Sequence, residues 1–467
     1  MINSKPYILF FYILLIGITL DAQNETILVS DDVAQSVEKL ANALIKQSHI
    51  PGISIAVSKD EKLIYAKGFG YANIEENIKM SPATQLRTAS VAKVITATAI
   101  GHLLTDGKLD LDEPIKTYIP YIDKTYENLT SRQLAAHTSG LEHRPKGNNY
   151  KKKHYNSIKT TVQLMKKPLL FTPDTNYSYS TYAFNLLAAV IEGASGMDYM
   201  DYLEKKIFKP LHMTQTYAEN INTLTSVDAK LYYIKNKKLK SEKLTNGSYK
   251  IPGAGFRSTP SDLVKMMSAY TNNLISKEVV NEMFRSHKLN NGELINVGIA
   301  WRKSIDPFEN KVIEHAGNWL GARTVISYYP EHNLSISIMI NASCQLLIEE
   351  TAHIFANIFL NETINRDQIK LDRIPVKVTF NGEEKETYNG ELSLDSEGGF
   401  LTSQNDGFLK SNPIFRLNGK NDYCMATAYG LLYLNINSES EYLGNVYAYY
   451  NRLSKNPQKD QPIVTIE

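Results

Sequence analysis

Strand-like alternation occurs near both ends of the first 360 residues, with a long helix-rich stretch between, and this order most constrains the fold. Ile53-Ser54-Ile55-Ala56-Val57 alternates like a half-buried strand, and the turn at Lys59-Asp60-Glu61 leads into a second strand, Leu63 to Ala66. Strand signals return around Val312 to His315. A second hairpin follows, with arms Arg323 to Tyr329 and Leu334 to Ile340 and its turn at Pro330–Asn333. Between the two regions the apolar spacing is helical, most clearly at Val94, Ala97, Ile100 and Leu104, stopped by Gly107. A second interior helix runs from Tyr182 to Gly193, and further helices, Ser30 to Gln47 and Gln345 to Leu360, open and close the unit. The pattern predicts an α/β protein of the α+β type. A mostly antiparallel sheet is flanked by helices and carries an all-helical subdomain.

After Arg366 the pattern changes. Short Tyr-, Phe- and Leu-rich runs are separated by Asn-Gly, Glu-Gly-Gly and Asp-Gly turn signals, which predict a C-terminal all-β module. The expected divisions are a targeting segment at 1–22, a main domain at 30–362 and the all-β module at 366–460. Lys455 to Gln461 reads as a polar tail.

The N-terminus has Lys5, an apolar run from Tyr7 to Leu20, and Ala22 before a polar stretch. That matches a secretory signal cleaved after Ala22, and the run is short of the ~20 residues that a spanning helix needs. An uncleaved anchor is the alternative, because Leu20 is a poor residue at the minus-three position. Either form predicts an exported protein (periplasmic, secreted or anchored) with no membrane span after cleavage. Fifty-one basic against forty-nine acidic residues argue against nucleic acid as a partner. Cys344 and Cys424 do not make a disulfide framework. The histidines lack metal-ligand spacing, so neither metal nor cofactor is expected.

Ser90-Val91-Ala92-Lys93 opens the strongest helix. Positions three apart are neighbours on a helix, so the Lys93 amine can reach the Ser90 hydroxyl. A serine becomes a good nucleophile when a base takes its proton, and a lysine whose pKa is lowered can be that base. The spacing itself is uninformative. Roughly two such pairs arise by chance in a chain this rich in Ser and Lys, and Ser36-Val37-Glu38-Lys39 is the other.

Several segments, in order, resemble the serine β-lactamase and penicillin-recognising hydrolase superfamily, in its class C-like branch of D-amino-acid peptidases, esterases and β-lactamase-like serine proteases. They are Pro51–Val57 with Lys67-Gly68-Phe69-Gly70-Tyr71, Arg87–Lys93, His137-Thr138-Ser139-Gly140-Leu141, Pro173–Thr181, Gly255–Leu263 and His315-Ala316-Gly317. The resemblance covers roughly residues 30 to 362. It implies a serine hydrolase that forms an acyl-enzyme on Ser90 and cleaves an amide or ester of a small molecule or peptide. Lys93 would be the base and Tyr179 the second proton carrier. The backbone amides of Ser90 and Asn318 would form the oxyanion hole, and Thr181, His315 and Gly317 would contact substrate.

Thr181 stands where many members have Asn, His315 replaces the lysine of true β-lactamases, and Ala316 lacks a hydroxyl. These departures favour a peptidase or esterase over a true class C-like β-lactamase. A non-catalytic binding protein using the same cleft is the reading from another class. The basic loop from Arg144 to Lys153 reads as solvated surface, and Trp301 and Trp319 as core packing or cleft walls.

Overall fold

The computed structural model describes residues 25–467 except 148, 237, 361–370, 382–384, 396–397, 404–410, 418–421, 437–442 and 448–461. The expected signal at 1–22 and the polar tail at 455–461 lie outside the described residues.

Helix α1 (Asp31–Ser48) starts where the Ser30 side chain accepts a hydrogen bond from the Val33 amide, with Asp31 and Asp32 beside the positive helix end. Its Val33, Val37, Leu40 and Leu44 form the buried stripe. Strands β1 (Gly52–Lys59) and β2 (Lys62–Asn73) make the first hairpin. Asp60 and Glu61 at its tip take positive φ, 50° and 64°, as a tight hairpin turn requires.

The helical block then intervenes, with α2 (Ala92–Thr105) and α3 (Ala183–Ser195) at its centre. Every residue of α2 from Ala92 to Leu103 is buried, so this helix is core on all sides. The chain returns through β3 (Arg302–Ile305), β4 (Lys311–Trp319), β5 (Ala322–Tyr329) and β6 (Leu334–Ile340), then α4 (Ile348–Leu360).

Among the described residues the main sheet has eight strands, with the path Thr26–Ile27, β2, β1, β6, β5, β4, β3, and Ile78–Lys79 paired to β2 off the path. The β1–β6 pairing joins the two halves of the sequence through Ile53 opposite Ile340, Ile55 opposite Ile338 and Val57 opposite Ile336. These isoleucines share one apolar cluster with α1 and α4, while Ala56, Ile326 and Met339 face the cluster built around α2 and α3. Both faces are covered, which is why these strands are buried throughout.

Residues beyond 370 form a closed antiparallel barrel, eight strands among the described residues, from Leu371–Asn381 to Val464–Ile466. The module expected to end at 460 therefore takes its closing strand from residues 464–466. Those three residues supply the pairing that the edge of Leu371–Asn381 needs. The hairpin of Asp422–Thr427 and Gly430–Ile436 docks on the main domain. Ser48 Oγ donates to the Thr427 carbonyl at 3.0 Å, the Leu347 amide donates to the Tyr429 carbonyl at 2.8 Å, and Cys424, Ala426 and Leu431 join the α1–α4 cluster. The helix expected from Gln345 begins at Ile348 instead, and the Leu347 amide just before it is held by the barrel. Cys344 and Cys424 are free thiols. Among the described residues no helix is long and apolar enough to cross a membrane.

Gly430 sits at φ +120°, and a Cβ there would lie 2.5 Å from Thr351 Oγ1 of α4. Gly430→Ala is expected to cost about 1–3 kcal/mol through strain and clash. Urea denaturation measures it, and an unchanged midpoint would show that this docking contact does not hold the barrel.

Candidate active site

The backbone leading into Ser90 is fixed from several sides. The Thr88 amide donates to the Phe256 carbonyl at 3.0 Å, and Thr324 Oγ1 of β5 donates to the Arg87 carbonyl at 2.9 Å. The buried Arg87 guanidinium donates to Glu219 at 2.8 and 2.9 Å and to the carbonyls of Leu320 and Thr245. Glu219 also accepts from Arg257 at 2.8 Å. Breaking such a buried charge cluster from one side typically costs several kcal/mol. Ala89 is forced to φ +45° within the 3₁₀ turn Ala89–Val91, so Ser90 is presented at a strained corner before α2 begins.

Lys93 is fully buried one turn along, with its Nζ 3.3 Å from Ser90 Oγ. Burial, reinforced by the nearby Arg302 charge, pushes the Lys93 ammonium well below the ordinary lysine range. A neutral amine has two N–H donors and one lone pair. Nζ is 2.7 Å from the Gly253 carbonyl and 3.1 Å from Thr181 Oγ1, which accept the two hydrogens. The lone pair is then left for the Ser90 hydroxyl. Thr181, expected to contact substrate, lines the cleft but uses its hydroxyl oxygen to orient the base.

Tyr179 joins this pair. Its ring centroid is 4.8 Å from Lys93 Nζ, and the Ser90 side chain is close enough to favour its ionised form. Burial outweighs that effect and the Arg302 charge, so the phenol pKa is raised and Tyr179 rests neutral. A lysine ammonium would favour the phenolate, but the amine beside Tyr179 is itself driven towards its neutral form. The His137–Leu141 segment clamps the tyrosine loop. His137 Nδ1 accepts from the Ser180 amide at 3.1 Å, the His137 carbonyl accepts from the Ser178 amide at 2.9 Å, and the imidazole lies 4.3 Å from the Tyr179 ring. His143 also packs near that ring, with burial lowering its pKa to about 4.

The opposite wall is β4. A Cβ on Gly317 would lie 2.4 Å from the Thr88 carbonyl and 3.0 Å from the Ser90 amide, so only glycine lets this strand approach the nucleophile. Ala316, Gly317 and Asn318 line the cleft. His315 does not join them. It is buried beside the phenol, its ring 6.4 Å from that of Tyr179, with Nδ1 bonded to the Ala316 carbonyl, and burial pushes its pKa well below the ordinary histidine range. His315, expected to contact substrate, thus lies beside the Tyr179 phenol. Strand β4 is pinned from below by Glu314, which is buried and accepts from Ser304 of β3, Ser327 of β5 and His353 of α4. Against a burial that pushes it down, this carboxylate lifts His353 to about 9.

These groups open on a cleft of about 810 Å³. Sequence reasoning missed Lys250 and Arg302 on its wall, since neither belongs to a motif. The loop read as solvated surface contributes Arg144 and Lys151 to the cleft. Trp301 is core, donating to the Tyr270 hydroxyl at 2.9 Å, whereas Trp319 lines the cleft between Arg87 and Lys250, whose guanidinium carbon and Nζ lie 4.0 and 3.6 Å from its ring centroid.

An unfolded lysine keeps its proton to about pH 10.4, and folding takes it from Lys93, so wild-type stability rises with pH between the lowered value and that limit. Lys93→Met lacks this dependence. The variant should therefore gain on wild type in melting temperature as pH falls from 10 to 7, and a constant difference across that range would contradict a neutral amine. Gly317→Ala should slow fluorophosphonate labelling of Ser90 by about 10²-fold with unchanged circular dichroism, by displacing the strand beside Ser90.

The Beta-lactamase family model matches residues 37–346. The mitochondrial serine beta-lactamase-like protein LACTB of Bos taurus is 31% identical over 295 residues, covering 47% of this chain and 53% of that protein. Protein flp of Staphylococcus aureus (strain N315) is 30% identical over 206 residues, 43% of this chain and 41% of that protein. The chain thus spans about half the length, or less, of these curated relatives. Among solved structures, the octameric penicillin-binding protein homologue from Pyrococcus abyssi shares 22% identity at a TM-score of 0.60, over 87% of this chain and 96% of that one. The D-amino acid amidase from Ochrobactrum anthropi SV3 shares 20% at 0.56, over 67% and 92%. At those identities the likeness is one of fold. The family match takes in Ser90, Lys93, Tyr179 and the β4 wall within one continuous span, and the chain belongs to the Beta-lactamase family.

Proposed function

We propose that this chain is a serine hydrolase that cleaves an amide or ester bond of a small molecule or peptide through an acyl-enzyme on Ser90. The observation that carries the reading is the Lys93 environment, with two carbonyl or hydroxyl acceptors for its hydrogens and Ser90 Oγ at 3.3 Å for its lone pair. As Ser90 Oγ bonds to the substrate carbonyl carbon, its proton passes to Lys93 and the carbonyl electrons move to oxygen. The amides of Ser90 and Asn318 are the donors for that oxyanion. Tyr179, placed between Lys93 and the cleft, relays the proton to the leaving nitrogen or oxygen as its bond to carbon breaks. Water then enters by the reverse relay and frees the acid. Solved structures of similar fold include a D-amino acid amidase and a D-stereospecific amidohydrolase, which supports small amides with D-residues as first substrates to try.

A fluorophosphonate should label wild-type protein at Ser90, located by mass, and leave Ser90→Ala unlabelled. Tyr179→Phe should slow turnover of an activated ester by ~10²–10⁴-fold, the usual range for a lost proton carrier. Absence of any adduct at Ser90 would remove the hydrolase reading, and a Tyr179→Phe enzyme at near wild-type rate would remove the relay.

A further inference from the structure

A second cavity, of about 490 Å³, adjoins the first at the far end of β4. Asn318, Arg323 and Gln345 line both. Its other walls come from distant parts of the chain. They are His49 at the end of α1, Asn236 at the tip of the hairpin formed by Tyr232–Lys235 and Lys238–Ser241, and the barrel turn Ala428-Tyr429. That turn is firmly held. The Tyr429 amide donates to Thr427 Oγ1 at 3.0 Å, while Ser48 and Leu347 of the main domain donate to the Thr427 and Tyr429 carbonyls. A piece of the barrel is thereby built into the wall.

The chemistry of this cavity differs from that of the first, which several cations line. Here the permanent charge among the described lining residues, Arg323, directs its Nε and Nη2 to the Cys344 carbonyl at 2.7 and 2.5 Å. Asn236, Asn318 and Gln345 are exposed, and their side-chain amides make no hydrogen bond among the described residues. Each amide both donates and accepts, as a peptide group does. Tyr429 adds an exposed aromatic ring. Position decides which part of a substrate reaches this place. Tyr179 sits beside His315 of β4, their rings 6.4 Å apart. The cavity begins at Asn318, about 10 Å further along the extended strand.

We propose that this cavity is a subsite for a neutral peptide extension on the acyl part of the substrate, with Tyr429 and Asn236 as specificity residues. Tyr179 hands its proton to the leaving group, so the part that reaches past Asn318, away from the phenol, is the part that stays on Ser90. The substrates favoured are then peptidyl amides or esters over those of single amino acids. The inference rests on the hydrolase reading for the side of the scissile bond, and on the cavity alone for the peptide.

Calorimetry with Ser90→Ala protein tests it without requiring turnover. The parent probe is N-acetyl-D-alanine amide. N-acetyl-L-alanyl-L-alanyl-D-alanine amide extends it on the acyl side, and N-acetyl-D-alanyl-L-alanyl-L-alanine amide on the leaving side. N-octanoyl-D-alanine amide carries an apolar chain in place of the acyl-side peptide. The acyl-extended peptide should bind at least ~10-fold tighter than each of the other three, the worth of one or two net hydrogen bonds. Asn236 has φ 51°, so Asn236→Gly removes its amide without backbone strain. Added to Ser90→Ala, Tyr429→Ala with Asn236→Gly should bring the extended peptide to within about twofold of the parent, whose affinity stays as it was. Equal binding of parent and extended peptide overturns the proposal, as does a leaving-side or octanoyl probe that binds as tightly. So does an extended peptide that fails to bind at millimolar concentration, or an advantage that survives both substitutions in a folded protein. Failure of wild-type protein to label at Ser90 would instead remove the hydrolase reading, with the peptide preference still read from these affinities.

Discussion

Taking one amine out of water is the constraint on which the rest of the site depends. Lys93 lies on a helix buried on every side, in a layer that the sheet covers from one direction and the helical block from the others. An isolated ammonium in such surroundings is strongly disfavoured, and the group avoids the penalty by giving up its proton. The same burial that gives α2 its place in the core therefore drives the Lys93 amine towards its neutral form. Fold and reactivity have one origin here, and a change that let water reach Nζ would weaken both.

The charges that do remain buried serve to hold backbone. Glu219 between Arg87 and Arg257 fixes the approach to Ser90 and the turn after β4, and Glu314 ties β4 to both neighbouring strands and to α4. Each such cluster costs desolvation energy and returns geometric definition, since directed bonds from several elements meet on one carboxylate. Ser90 and the Gly317–Asn318 edge are thereby set against each other by polar contacts on both sides of the cleft, with apolar packing beneath.

Much of this was legible in the sequence because it depends on periodicity and local spacing. The strand pairs, the helix at Ser90, and the approach of Ser90, Lys93 and Tyr179 follow from residues that announce themselves, the last through its segment and not through the tyrosine alone. The roles of Thr181 and His315 were not legible. Which way a threonine hydroxyl turns, and how deeply a histidine on a strand is buried beside the phenol, is decided by neighbours distant in the sequence. Arg302 and Lys250 belong to no pattern, and they matter through where β3 and the 248–250 turn come to rest. The closing barrel strand at 464–466 is too short to carry its own signal and exists because the edge of Leu371–Asn381 needs a partner.

The hydrogen bond from Leu347 to the carbonyl of Tyr429 has a consequence for the order in which the molecule is made. The segment from Gln345 to Glu349 walls the cleft, and its anchor is encoded some eighty residues later. During synthesis Ser90, Lys93 and Tyr179 all emerge before that anchor has left the ribosome. The nascent chain thus passes through a stage in which the Gln345–Glu349 wall of the cleft still lacks that anchor.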